Sequence, residues 1–439
     1  MDYRFAFRWA AGLGHDNSGG SRFAGRREAP LLQTSPHALP LTGPYKVSHR
    51  ARAFTDAPGQ REASSLLAEI AGTASAYAPV PMDRPLALYG AAKFGALARD
   101  FLKSVGQDFV LAIDRNASLI AQQPGWSGIR VKHPDELTRS EKRLRLAVCV
   151  ATFPYVPLEH ALLELGFQNI VPFYDIAESF RRIHPMSNGW FAAPFGAADR
   201  QYTGNVLSRW SDDISRAHHL QFLAWRCLRE EWTFGNALPL PNDDRFFISE
   251  VTDVLRDDEI LLDAGAFHGD VTEAFVARTK GRFGKIVAVE PDPANRARYE
   301  AALQALLPGD RRITVYDCAL SETDGEAIFH DGLGYASQLS DTGKLRVRTR
   351  AIDTLDVAPS FIKLHLEGGE LAALKGARQT LTGGRPIVVA TIYHNEDGIW
   401  RTARFLMDTL PRYRFLFRLH SWCGTGAVIY AIPDERRAA

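Results

Sequence analysis

The sequence predicts an α/β protein: a doubly wound sheet in the C-terminal half, preceded by a smaller Rossmann-like α/β domain and a helical connector. Three observations carry this. Glu259 to Phe275, EILLDAGAFHGDVTEAF, reads as an apolar strand, a glycine turn and the start of a helix. A second strand, glycine turn and helix begin at Pro85. From Phe246 onward strand-like and helix-like segments alternate, the pattern of a sheet covered on both faces.

Composition narrows the field. The 439 residues suffice for two or three domains. Hydrophobic content of 46% and charged content of 23% are those of a soluble globular protein. A formal net charge of +1 offers no broad basic surface, so no nucleic-acid partner is expected. No apolar run approaches the roughly 20 residues of a membrane helix. Cys149, Cys227, Cys318 and Cys423 are scattered, with no CxxC pair. That spacing points to reduced thiols and a cytoplasmic setting rather than a disulfide framework or zinc site.

Taken in order, residues 1–80 read as a disordered tail and a short helix. Gly14, Gly19, Gly20, Pro36 and Pro40 break any amphipathic transit helix. The helix runs from Arg61 to about Ala74, with Leu66, Leu67 and Ile70 on its apolar face. Residues 81–178 form the Rossmann-like domain. Its first strand is Leu86 to Tyr89, followed by Gly90-Ala91-Ala92-Lys93-Phe94-Gly95, a GxGxxG pattern with Ala92 at the second glycine. Asp114 ends the next strand 24 residues after Gly90, where a Rossmann acid meets a ribose. Binding and scaffold readings of this loop both stay open. Residues 179–245 are the connector, with Leu207, Trp210, Ile214, His218, Gln221 and Trp225 approximating one helical face. Its tryptophans read as packing between domains.

Residues 246–436 form the last domain. Its first strand ends in Asp263 and leads into Gly265 and Gly269, a cradle for a nucleotide-like ligand at a helix N-terminus. Acids in that turn, Asp263 and Asp270, repel a pyrophosphate and suit a cationic ligand without phosphate. S-adenosylmethionine, with its ammonium and sulfonium, fits. The second strand, Lys285 to Glu290, ends in an acid 27 residues after Asp263, placed to accept both ribose hydroxyls. Asp292 reads as a helix cap. The third strand, Arg312 to Tyr316, ends in Asp317-Cys318-Ala319-Leu320, a polar atom with small apolar groups that suits an adenine. A meander follows over Glu326 to Ile352, and then the strand Phe361 to Leu366. The last parallel strand is Pro386 to Tyr393, and a hairpin of Tyr413 to Leu419 and Ala427 to Ile432 closes the chain. Open α/β sheets bind ligands beyond the carboxyl ends of their strands. The first three ends belong to a cofactor. His365, Glu367 and His394, at the fourth and fifth, belong to an acceptor and are the candidate catalytic groups. Histidine and carboxylate also suit divalent ions, so the three could form a metal site, but their spacing is not diagnostic and no metal ligand is assigned.

DAGAFHGD, AVEPDP, FIKLHLEGGELAALKGA and IYHNED, in that order, resemble the FkbM-type S-adenosylmethionine-dependent methyltransferases. The resemblance covers roughly Phe246 to Pro433 and extends to longer members with an N-terminal Rossmann-like half. It implies a class I methyltransferase fold of seven strands, the last antiparallel. It also implies O-methylation of a hydroxyl on a sugar, glycan, lipid or natural product, so the partner is a small-molecule or glycan acceptor. By matching motif positions, Asp263, Gly265, Gly269 and Thr272 line the methionine end and Glu290 the ribose. The family segment usually reads IK-x-D-x-EG; this chain reads IKLHLEG, with His365 where an aspartate is usual. That departure leaves open a catalytically degraded module that binds a cofactor or nucleotide-sugar without chemistry.

Overall fold

The computed structural model describes residues 49–186 and 189–436. The tail expected ahead of the Arg61 helix lies outside them up to residue 48; beyond that it is not disordered, because Arg50–Phe54 pairs as a strand with Glu230–Phe234. All described residues belong to one compact unit, Lys46–Ala439.

Strand β1 (Arg50–Phe54) comes first and is followed by the expected helix, observed at Gln60–Gly72 with Ala63, Leu66, Leu67 and Ile70 buried. A parallel five-stranded sheet follows: β2 (Leu86–Tyr89), β3 (Leu111–Ile113), β4 (Val131–Lys132), β5 (Arg145–Val148) and β6 (Asn169–Pro172). Their spatial order is β4-β3-β2-β5-β6. The central strands β2, β3 and β5 are buried throughout because helices cover a parallel sheet on both faces.

The connector differs from the single helical face read in the sequence. Two helices form, Ala197–Arg209 and Asp213–Leu228, and Trp210 ends the first with extended backbone. Asp212 caps the second helix by accepting from Ser215 N at 2.7 Å, so the chain turns between them. Trp190, Trp210, Trp225 and Trp232 are all buried in apolar cores. The chain then forms β7 (Glu230–Phe234), parallel to β1 in register from Arg50↔Glu230 to Phe54↔Phe234. Neither strand is legible in the sequence: RARAF and EEWTF are charged, and their partners lie some 180 residues apart.

The C-terminal half carries β8 (Ile260–Ala264), β9 (Lys285–Val289) and β10 (Ile313–Tyr316), then β11 (Ala319–Leu320), β12 (Gly325–His330), β13 (Gln338–Leu339) and β14 (Leu345–Arg350). It ends with β15 (Phe361–Leu364), β16 (Ile387–Thr391), β17 (Tyr413–Leu419) and β18 (Ala427–Pro433). Seven of these form one sheet in the order β10-β9-β8-β15-β16-β18-β17. β18, last in the chain, runs antiparallel to both neighbours, while the others share one direction. This is the expected fold class. Alternate residues of each strand enter two separate cores. Leu262, Ala264, Val287, Ile362 and Val388 pack with the connector helices, and Leu261, Ile286, Phe361, Ile387 and Val389 pack with Phe247 and Phe275. The meander is a separate sheet, β11-β14-β12-β13, in which β12 and β14 pair antiparallel. No described helix is long and apolar enough to cross a membrane.

Candidate functional site

The site lies at the carboxyl ends of β8, β9, β15 and β16. β8 ends at Ala264, and the chain reverses through Gly265 at φ +74° and Gly269 at φ +98° before the helix Asp270–Thr279. Both angles fall where a side chain is strained. At Gly265 the space is also taken, since a Cβ there would sit 2.1 Å from the carbonyl oxygen of His365. At Gly269 it would come 3.3 Å from the Tyr299 ring. Phe267, between them, holds φ +52° and donates its N–H to Glu290 Oε2 at 2.8 Å. An aromatic residue in the left-handed region persists only where its surroundings impose it.

Glu290 is buried at the end of β9 and accepts a second N–H, from Asp292, at 3.0 Å. Burial pushes its carboxyl up to about 7, against the pull of those two N–H groups. Each carboxylate oxygen still has a further lone pair for a hydroxyl. Asp292 is the expected cap, accepting from Ala294 N and Asn295 N. It also accepts from Gly332 N and Ser337 Oγ, which ties the turn before β13 to the cofactor side.

Asp263 and Thr272 are fully buried beneath the loop rather than open to it. Lys363 of β15 stands opposite Asp263 in register and donates to its Oδ1 at 3.0 Å and to Gly265 O at 2.8 Å. Thr272 Oγ1 donates to Asp263 Oδ2 at 3.1 Å and lies 3.0 Å from the Tyr299 hydroxyl. Lys363 therefore balances the Asp263 charge, while Asp270 at the start of the helix is exposed. The sequence reading missed this lysine. Its signal was a cation inside FIKLHL, since a lysine in a buried strand needs a partner. Asp317 stands apart, exposed beyond the edge strand β10 and ion-paired to Arg348 at 2.5 Å.

The acceptor-side candidates do meet. His365 Nε2 lies 3.0 Å from Glu367 Oε1, and His394 Nε2 lies 3.4 Å from the same oxygen. The two imidazoles stack at 5.3 Å between centroids. Glu367 holds φ +50°, another strained backbone. Glu370, the first residue of the next helix, fixes the turn before it, accepting from Leu366 N at 2.9 Å and Gly368 N at 3.0 Å. Burial would raise Glu370, but His394 beside it, with Thr391 Oγ1 and Leu366 N, holds it down to about 2. Burial pushes His365 down to about 4, against the opposing effect of Glu367. The Tyr393 hydroxyl lies 3.2 Å from His365 Nε2 and accepts from Arg245 Nη1 at 3.4 Å.

The first half of the chain holds the strand-end loop that carries His394. Arg226 Nη2 donates to Tyr393 O, and Arg181 pairs with Glu396 at 2.8 Å. Trp190 stacks on Tyr174 at 3.8 Å, with the Tyr393 and His394 rings 6.4 and 6.5 Å away. Phe94, from the Gly90 loop, also stacks on Tyr174, at 4.7 Å. Asp114 accepts from Ala91 N at 2.7 Å, the same link to its glycine loop that Glu290 makes to Phe267.

The family model described as the methyltransferase FkbM domain matches residues 263–417. The fold is similar to the crystal structure of the methyltransferase FkbM from Methylobacillus flagellatus KT. That likeness has 20% identity and a TM-score of 0.55, and covers 86% of this chain and 94% of that one. The SAH-bound methyltransferase PaMTH1 from Podospora anserina shares 14% identity over 60% of this chain and 98% of its own, with a TM-score of 0.28. Among curated proteins none matches the chain.

Proposed function

We propose that the protein, whose residues 263–417 match the methyltransferase FkbM domain, O-methylates a hydroxyl of a small molecule or glycan with S-adenosylmethionine. The carrying observation is the contact of Gly265 with the His365 carbonyl, which brings a cofactor cradle and a His–Glu–His cluster to adjacent strand ends. The cradle fits the group: its backbone approach admits no side chain at Gly265, and its remaining acids suit a cation.

S-adenosylmethionine, when bound, supplies a sulfonium methyl, and its transfer to oxygen forms a C–O bond as the C–S electron pair returns to sulfur. Glu290 accepts the ribose hydroxyls while holding Phe267. Gly265 and Gly269 let the backbone approach the methionine end. Asp263 and Thr272 shape that end from below, through Lys363 and the loop carbonyls. Asp317, exposed and paired with Arg348, would have to leave that pair to reach an adenine. His365, Glu367 and His394 receive the acceptor hydroxyl and take up its proton. In-line positioning of the hydroxyl contributes most to the rate of such a transfer, and proton removal adds about 10²–10⁴-fold.

The acceptor classes this reading favours are a sugar, lipid or natural product. The scattered thiols support work in the cytoplasm. The test is incubation of the full chain with labelled S-adenosylmethionine and a panel of hydroxyl-bearing acceptors. Labelled product from any panel member supports the reading; a chain that binds no S-adenosylmethionine in calorimetry sinks it.

A further inference from the structure

We propose that His365, Glu367 and His394 hold a divalent metal ion, and that the ion presents the acceptor's oxygen to the methyl donor. The proposal deepens the functional reading above, but the ion site stands on its own geometry.

The distances suit an ion. Zinc-like ions bind imidazole nitrogen at about 2.0–2.1 Å and carboxylate oxygen at about 2.0–2.2 Å, so two ligands on one ion stand about 2.9–3.5 Å apart for angles near 90–109°. The two histidine–glutamate separations here are 3.0 and 3.4 Å. All three candidate ligand atoms lie within 4.8 Å of one another.

The tyrosine beside the cluster is consistent with an ion. His365 Nε2 faces both the Glu367 carboxylate and the Tyr393 hydroxyl. A neutral imidazole nitrogen carries either a proton or a lone pair. With a proton it donates toward Glu367 and the Tyr393 oxygen together, one hydrogen shared between two acceptors. With a lone pair it can accept from Tyr393 but then confronts a carboxylate at 3.0 Å. A cation at the meeting point lets both histidines and the glutamate supply lone pairs, and leaves the tyrosine proton for an oxygen on the ion.

The ligands are also supported from behind. His394 Nδ1 has no hydrogen-bond partner within ordinary reach and faces Glu370 Oε1 at 3.5 Å. A carboxylate behind a histidine is the usual device that fixes a ligating imidazole. Glu370 is itself fixed by Leu366 N, Gly368 N and Thr391 Oγ1. The left-handed backbone of Glu367 turns its carboxylate between the two rings. Side-chain exposures of 9% for Glu367 and 3% for His394 separate the cluster from ordinary solvated acids.

Two imidazoles and one carboxylate select zinc, manganese, iron(II) or cobalt over magnesium and calcium. Three protein ligands leave at least one position open. An acceptor with two neighbouring oxygens, a vicinal diol or a hydroxy acid, suits an ion with two open positions. A hydroxyl on such an ion would give up its proton far more readily than a free one, and solvent would take that proton in place of the imidazoles, whose lone pairs would then be on the ion.

The experiment uses the full chain stripped with a chelator and titrated with Zn²⁺ by calorimetry, and with Co²⁺ by visible absorption. One ion per chain is expected, with a cobalt spectrum altered by a vicinal-diol acceptor panel. His394→Ala and Glu367→Gln should abolish zinc binding while S-adenosylmethionine affinity is kept. Glu370→Gln should weaken it about 10–100-fold. Paramagnetically shifted imidazole protons from two histidines in the wild-type Co²⁺ chain would support the site without any variant. Equal zinc affinity in wild type and His394→Ala, or no shifted imidazole signals, overturns it. Zinc bound by a chain that binds no S-adenosylmethionine would leave the ion site standing and remove the reading of function; methyl transfer by the stripped chain would keep that reading and remove the ion's part in it.

Discussion

The carbonyl oxygen of His365 fills the space where Gly265 would carry a side chain, at 2.1 Å from the ideal Cβ position. The loop assigned to the methyl donor and the strand end assigned to the acceptor are thus in direct backbone contact. His365 N–H donates to Ala264 O at 3.1 Å on the same boundary.

Gly265→Val should therefore abolish S-adenosylmethionine binding. The left-handed backbone alone costs a side chain about 1–3 kcal/mol, before the clash with the carbonyl. Calorimetry checks it, with circular dichroism to show that the sheet still forms. Normal binding by this variant would remove the loop from the cofactor site.

Affinity for S-adenosylmethionine should rise with pH through about 7, the value to which burial pushes Glu290. The ribose hydroxyls need an ionised acceptor, so below that value affinity should fall by up to about tenfold per pH unit. Stability runs the other way. A carboxyl raised in the folded state contributes stability that is fully present below the unfolded value of about 4.3, and loses it as pH rises through about 7. Glu290→Gln should flatten the affinity profile. Titrations between about pH 5 and 8 check both slopes.

Lys363→Met should destabilise the fold by about 3–5 kcal/mol, because it strands the fully buried Asp263 carboxylate. Adding Asp263→Asn should recover much of that loss, since the remaining group is then neutral. Denaturant unfolding of the single and double variants measures it. A single variant as stable as wild type would mean that the pair does not hold the loop.

His365→Ala should keep S-adenosylmethionine affinity within about threefold and lose about 10²–10⁴-fold in turnover. Binding and turnover on one preparation separate the two effects. Full activity would make His365 a structural residue of the strand end.

Much of the fold is legible because its signals are local. The apolar runs of β2, β8, β9, β16 and β18 are short and continuous. Gly265, Gly269 and Glu290 could be picked out from their places in the strand–turn–helix pattern. His365, Glu367 and His394 could be nominated as strand-end groups, and they do converge. The sequence did not reveal that Asp263 faces a lysine, or that β1 and β7 exist.

Local sequence sufficed for the main-sheet strands, the glycine turn and the polar groups at strand ends, since neighbours within one turn or strand dictate those. What the polar groups touch depends on the folded chain. Asp263 and Lys363 are 100 residues apart and meet because β8 and β15 pair in parallel register. A parallel pair requires a crossover, and its register follows from the packing of everything between. The same pairing sets Gly265 against His365, and β16 beside β15 brings His394 to Glu367.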